Sequence, residues 1–449
     1  PRSRVVAADS AAMACGVEPG IGRASALALA PQLRLIERSP PQELAALQEI
    51  ATWANRFTPA ISLDPPDAVL LEVSASLRLF GGMESLSQAI LAGLEDLGFT
   101  GQTATATTPL AARWLARHAP GCIQADPATL PESLDPLPLG ALAEARGLGA
   151  DILEFLAGIG ARHLADVRRL PRAGLARRQA QAVTRLLDQA YGATPDPRPW
   201  FHPPEHYVSR LPLPAPTGQI DQLLFGLRRL LAGLNGWLSA RQAGVEAFTL
   251  ILEYDDTQEE RLEIILGTPC NDPGRCQLLA REHLARLPLP APVEALGLEA
   301  RSPQAQAPLR SDFFASDDGH DGDPGLLLAT LRARLGKEAV GCLASHPDHR
   351  PERAWRWTEP TLSGQPLPPP GPPQPTGPRP LWLLPEPQPL QQPQFSNLLA
   401  GPERIETGWW DGAEIRRDYF VARNPDDSLI WIYRERIPPF GWYLHGYFA

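Results

Sequence analysis

The sequence predicts a multidomain α+β protein that ends in a small aromatic-rich β module. Three observations carry that class. A chain of 449 residues is too long for one hydrophobic core, the apolar period alternates between helix-like and strand-like along it, and seven of the 11 tryptophans lie beyond residue 350. An apolar content of 43% can fill several cores. No run of ~18 apolar residues occurs and the first residues lack a basic-then-apolar signal pattern, so a cytoplasmic protein without membrane contact is expected. The chain opens on Pro-Arg-Ser-Arg without a methionine and passes straight into an apolar run, so further residues upstream are expected.

In chain order, residues 5–50 alternate short helical patterns with a turn at 16–20 (GVEPG), and residues 43–57 repeat apolar positions at helical spacing. Strand patterns at 68–73 (AVLLEV) and 102–107 (QTATAT) flank a helix at 85–98, which predicts a β-α-β arrangement. Residues 134–190 read as helical. A tight turn, Gly147-Leu148-Gly149, lies among them, followed by Arg162, Arg168, Arg169, Arg172, Arg177 and Arg178. A glycine turn between helices exposes N–H groups that can hold a phosphate, although the same turn also serves as a plain connection beside a solvated basic face.

Residues 205–300 show the clearest periods, in the order β-α-β-β-α-β, with Leu223, Leu224, Leu227, Leu230, Leu231 and Leu234 on one stripe of the first helix. Beyond residue 302 lie a polar loop (PLRSDFFASDDGHDGD), a short helix at 324–335 and a proline-rich stretch at 359–393 expected to be extended and linker-like. Alternating aromatic segments then close the chain as a β module, either self-packing or presented to a partner.

Charge and cysteine content bound the chemistry. The net charge of −10 restricts any nucleic-acid contact to local patches. Lys337 is the sole lysine, so no ammonium precedes it to grip a triphosphate, although arginine can substitute. Cys15, Cys122, Cys270, Cys276 and Cys342 are scattered and fit neither a zinc site nor a disulfide framework. His346 and His349 could ligate a metal with Asp321 or Asp323, but the proline between them and the lack of a clear third ligand favour a structural loop. No metal or other cofactor is expected.

Residues 62–73 (SLDPPDAVLLEV) pose the sharpest question, because Asp64, Asp67 and Glu72 around an apolar strand outline a metal-dependent phosphoryl-transfer site interrupted by two prolines. With its surroundings this stretch resembles the acidic palm strand of the Y-family translesion DNA polymerases, and within them the divergent ImuB group. Residues 14–31 resemble the family's finger segment, 62–82 the palm strand with its LFG ending, 147–170 the thumb's helix-hairpin-helix, and 203–301 the little finger. Residues 346–357 (HPDHRPERAWRW), 379–390 and the ending GWYLHGYFA resemble the ImuB group in particular.

The resemblance implies fingers and palm over 1–133, with the first palm strand upstream of Pro1, a thumb over 134–198 and a little finger over 203–301. A clamp-motif loop with a short helical region follows at 302–358, then the linker at 359–393 and a partner-binding module over 394–449. Active members hold two magnesium ions on adjacent aspartate and glutamate; here the matching positions are Asp64 and Pro65, while Glu72 matches a later acidic position. The tyrosine and arginine that lie over an incoming nucleotide match Ser10 and Met13, and a phosphate-side lysine is replaced by Arg113 or Arg117. A proline offers no oxygen ligand, so the expected function is that of a non-catalytic scaffold. A weakly active polymerase using residual magnesium is the alternative.

As a scaffold in damage-induced (SOS) mutagenesis, it is expected to bind the sliding clamp, a RecA-like partner of the ImuA type, an error-prone C-family DNA polymerase and, with modest affinity, DNA. The clamp motif matches Arg310-Ser311-Asp312-Phe313-Phe314; Gln222 to Phe225 competes, but on the helix stripe the core reading is preferred. DNA contacts are expected at Gly147, Gly149, Arg168 and Arg169, and partner contacts at Trp409, Trp410, Trp431, Trp442 and Tyr443.

Overall fold

The computed structural model describes residues 3–144, 148–177, 181–255, 258–305, 324–359, 377–390 and 397–448. Contacts divide the chain into two compact units, residues 1–203 and 204–449.

The first unit begins with two short helices, α1 (Ser10–Ala14) and α2 (Arg23–Leu29), around a small core of Ala12, Val17, Ala26 and Ala30. Proline in the first turn opens α3 (Pro40–Ala54), where its missing N–H costs nothing. Strands β1 (Ile61–Asp64) and β2 (Ala68–Leu71) pair antiparallel around the Pro65-Pro66 turn, with Asp64 opposite Ala68. Next comes α4 (Met83–Asp96), and the Trp53 indole of α3 lies where a Cβ on Gly93 would be, so only glycine permits that approach.

The strand expected at 102–107 does not form. Its backbone bonds go instead to the neighbouring segment, with the Thr105 amide donating to the Cys122 carbonyl at 2.8 Å and the Gln124 amide donating to Thr105 at 2.8 Å. The segment makes an isolated parallel bridge, Thr105 to Ile123, and does not join the β1–β2 sheet, so a hairpin followed by a helix replaces the predicted β-α-β arrangement.

A helical cluster completes the unit: α5 (Pro109–His118), α6 (Leu130–Leu134), α7 (Ala150–Gly158), α8 (Leu164–Arg168), α9 (Arg172–Arg177) and α10 (Gln181–Ala190). Trp114, Leu115, Leu142, Leu156, Leu164 and Val167 share its core. The helical reading of 134–190 matches this order.

The second unit contains the expected β-α-β-β-α-β order: β3 (Tyr207–Thr217), α11 (Ile220–Ser239), β4 (Ala243–Glu253), β5 (Glu259–Cys270), α12 (Pro273–Leu284) and β6 (Val293–Ala300). The sheet order is β3-β6-β4-β5, all antiparallel, with β7 (Gln304–Ala305) bridging to β4. The leucine stripe of α11 and Trp237 bury against Phe248, Leu250, Leu252 and Leu296. Helix α13 (Pro324–Leu335) joins the same core through Ala329 and Ala333.

Beyond it, β8 (Cys342–Ser345) and β9 (Trp355–Thr358) form a hairpin. A five-stranded antiparallel sheet follows, in the order β10-β14-β13-β12-β11, from β10 (Trp382–Leu390), β11 (Asn397–Thr407), β12 (Ile415–Arg423), β13 (Leu429–Glu435) and β14 (Gly441–Tyr447). Residues 382–390 lie in the stretch expected to be a linker, yet they pair with β14. Pro385 and Pro387 are tolerated because β10 is an edge strand and they fall in its register shift between Leu383 and Gln388.

Candidate functional site

The carboxylates of residues 62–73 lie on the β1–β2 hairpin, and arginines surround them. Arg113 on α5 approaches the Asp64 carboxylate at 2.9 Å and also donates to the Asp64 backbone carbonyl at 2.9 Å. Arg198, from the segment that follows α10, reaches the same carboxylate oxygen at 3.1 Å. That segment is held along β1 by the Phe201 amide, which donates to the Ile61 carbonyl at 2.7 Å. Burial works to lower the Arg198 pKa, but its bonds to Asp196 and Asp64 outweigh burial and raise it. Asp67 is held by Arg113 at 3.1 Å and Arg117 at 2.6 Å.

The ion pair at the centre is largely withdrawn from water, with Arg113 8% and Asp64 13% exposed at their side chains. Charges this buried are stable only when paired and hydrogen-bonded, which this cluster provides. Glu72 turns elsewhere: its carboxylate accepts from the Ser74 amide at 3.0 Å. Ser10 opens α1, and Met13 on the same short helix is solvent-exposed. Arg198 escaped the sequence reading, because nothing local in Asp196-Pro197-Arg198-Pro199 shows that the chain returns to β1.

Of the expected DNA contacts, Gly147 lies outside the described residues and Gly149 caps the N-terminus of α7. Arg168 pairs with Asp135 at 2.6 Å and stands over the Tyr191 ring at 5.0 Å, so its fork is engaged within the fold; Arg169, at the end of α8, is exposed. Arg172 pairs with Asp188 at 2.5 Å. The sheet face of β3–β6 turned away from α11 and α12 carries Arg210, Arg261 and Arg301. Each is paired, Arg210 with Glu253 at 2.6 Å, and Arg261 and Arg301 with Glu299 at 3.2 and 3.3 Å.

The clamp motif at 310–314 lies outside the described residues. At the competing position Leu223 and Leu224 are buried as expected, while Phe225 is 77% exposed.

The partner candidates divide by burial. Trp431 is a core residue, 1% exposed and stacked on Tyr419 at 4.1 Å, because β13 is the central strand of its sheet and both its faces are covered. Trp442 packs against Phe420 at 5.4 Å and Tyr443 stacks on Tyr433 at 5.1 Å. Trp409 and Trp410 are 69% and 58% exposed, edge to face at 4.8 Å, on the turn between β11 and β12.

Residues 346–353, between β8 and β9, bind this module directly. The fork of Arg350 bridges Asp348 at 2.6 Å and Asp411 at 2.6 Å. Hydrogen bonds from Arg350 hold the Asp411 carboxylate down to about 2 and Asp348 below its usual range. Glu352 reaches Arg417 at 3.1 Å and lies 3.8 Å from His445, whose Nδ1 shares a hydrogen bond with the buried Tyr419 hydroxyl at 2.9 Å. Within the HPDH stretch Asp348 thus serves Arg350, while Asp321 and Asp323 lie outside the described residues.

Comparison with known proteins places this geometry in context. Residues 1–117, which include the β1–β2 hairpin, match the model of the impB/mucB/samB family. Protein ImuB of Caulobacter vibrioides, found for two strains, is 27% identical over 97% of this chain and 100% of its own length. Among solved structures, DinB from Sulfolobus solfataricus is 19% identical with a TM-score of 0.35, covering 67% of this chain and 88% of that one. The insertion ternary complex of Dbh DNA polymerase gives 19%, 0.37, 68% and 89%. No helix among the described residues is long and apolar enough to cross a membrane. Residues 1–117 are therefore similar to the impB/mucB/samB family, and along nearly its whole length the chain is similar to Protein ImuB.

Proposed function

We propose that the chain is a non-catalytic scaffold of translesion DNA synthesis in damage-induced mutagenesis. On this reading it links the sliding clamp and DNA to an error-prone C-family polymerase and a RecA-like partner. The observation that carries this reading is the arginine clamp on Asp64. Two-ion phosphoryl transfer needs free, anionic oxygen ligands at near-octahedral geometry. Here one Asp64 oxygen is met by the guanidiniums of both Arg113 and Arg198, and its neighbour in sequence, Pro65, has no side-chain oxygen to offer. This donor set does not fit a pair of divalent ions, and the positive charge those ions would bring is already supplied by the chain. The similarity to Protein ImuB along the whole chain supports a role in mutagenesis rather than an unrelated use of the fold.

Clamp binding is assigned to residues 310–314, where Phe313 and Phe314 would fill an apolar pocket on the clamp. The exposed Trp409–Trp410 pair is the anchor assigned to the polymerase partner, since adjacent exposed aromatics on a turn have the character of interface hot spots.

Primer extension by the purified full-length chain, with magnesium or manganese, is expected to give no templated product. Synthesis that disappears in an Asp64→Ala variant would overturn the scaffold reading in favour of a weak polymerase. Replacing both Phe313 and Phe314 with alanine is expected to abolish co-elution with the clamp, and retained binding would move that site elsewhere.

A further inference from the structure

We infer that Arg350 is a positioning residue that holds the Trp409–Trp410 turn as a docking ridge; this rests on the partner-binding role proposed above for that pair. The turn between β11 and β12 is held from within by the Asp411 carboxylate, which accepts from the Ala413 amide at 3.1 Å, so its shape depends on where that carboxylate is held. It contains Gly408 and Gly412, both with positive φ, and within it the Asp411 amide lies 3.5 Å from the Gly408 carbonyl.

Arg350 holds that carboxylate from a distant part of the chain. Its side chain is 4% exposed, with one terminal nitrogen 2.6 Å from Asp411 Oδ2 and the other 3.0 Å from Oδ1. It also donates to the Ala413 carbonyl at 3.3 Å, and its guanidinium stands 5.9 Å from the Trp410 ring centroid. The far side of the fork is fixed by Asp348, so the guanidinium cannot follow the turn if the turn moves. Arg353 adds a second contact to Asp411 at 3.0 Å. A side chain of Gly408 would meet the Arg350 nitrogen at 2.9 Å, which shows how closely the turn is seated on it.

The planar fork is essential to this arrangement. It meets two carboxylates at once in fixed directions, whereas an ammonium satisfies them only one geometry at a time. Pro351 follows directly, and Glu352 anchors the same loop to Arg417 on β12. The segment preceding the proline-rich stretch is therefore part of the surface that follows it, and the docking ridge depends on both.

The test compares the full-length chain with Arg350→Ala, Arg350→Lys and the double variant W409A/W410A. Two readouts are taken: hydrogen exchange of the amides at 411 and 413, and capture of a purified error-prone C-family polymerase. Arg350→Ala is expected to speed exchange at those amides at least tenfold and weaken capture at least tenfold, with Arg350→Lys intermediate in both. The tryptophan variant is expected to lose capture while exchange stays slow. Wild-type exchange and capture in Arg350→Ala would overturn the positioning role. Should that variant unfold the module, Arg350→Lys decides, and wild-type behaviour in it overturns the role. Wild-type capture by the tryptophan variant would instead sink the docking reading of that pair, while the exchange data would still judge Arg350 on its own.

Discussion

Asp64 is paired with two guanidiniums, and that pairing sets what a substitution there should do. With Arg113 8% exposed and the pair buried, Arg113→Ala should cost the N-terminal unit about 3–5 kcal/mol, because a buried carboxylate would lose one of its two guanidiniums. Denaturant unfolding measures this, and a change below about 1 kcal/mol would show that water already screens the pair. A second titratable residue gives a pH signature. Burial pushes the His445 imidazole down to about 4, against an opposing pull from Glu352. Between roughly pH 6.5 and 4 the unfolded chain binds a proton that the folded module refuses, so stability should fall as pH drops through that window and level off below it. The loss is at most on the order of 3 kcal/mol. Tryptophan fluorescence of the module during acid titration would follow it, and a His445→Gln variant should flatten the curve.

At the scale of elements, helices and strands with strong periods were legible, and those defined by a distant neighbour were not. The leucine stripe of α11 and the alternation in β4 and β5 announce themselves because burial on one face demands them. The segment at 102–107 has a strand's composition, yet its pairing with the neighbouring segment stops at one isolated bridge, Thr105 to Ile123. The reverse holds for β10, whose prolines read as a linker until its pairing with β14 is seen. The β8–β9 loop belongs to the same class, since Arg350 and Glu352 act on residues 61 and 65 positions away. A fragment beginning at residue 377 should therefore melt below one beginning at residue 341, by at least about 4–8 °C for each kcal/mol of lost contacts. Equal melting temperatures would mean that the loop only rests against the module.

For the whole molecule, the acidic balance is reproduced locally where DNA would be expected. The open face of the β3–β6 sheet bears arginines, but Glu253 and Glu299 hold all three that were singled out there. Affinity for DNA should accordingly be modest and fall with salt. Glu299→Gln would release Arg301, while Arg261 keeps its pairing with Glu259 at 2.9 Å. It should raise duplex affinity and steepen the logarithmic salt dependence by about 1, for one added phosphate contact. An unchanged slope would mean that DNA does not meet this face.

What the sequence by itself determined is the inventory: the α+β class, the helical segment, the β-α-β-β-α-β order, the proline pair that follows Asp64 and the aromatic ending. These follow from local periodicity, turn chemistry and residue identity, which need no knowledge of distant neighbours. Only the tertiary structure decided which charges are already satisfied. It joined Arg113 and Arg198 to Asp64, Arg350 to Asp411, and Glu352 to Arg417, and it placed Trp431 inside while leaving Trp409 and Trp410 outside. An ion pair between residues tens of positions apart leaves no period in the sequence, because Coulomb attraction and desolvation act through space and not along the chain.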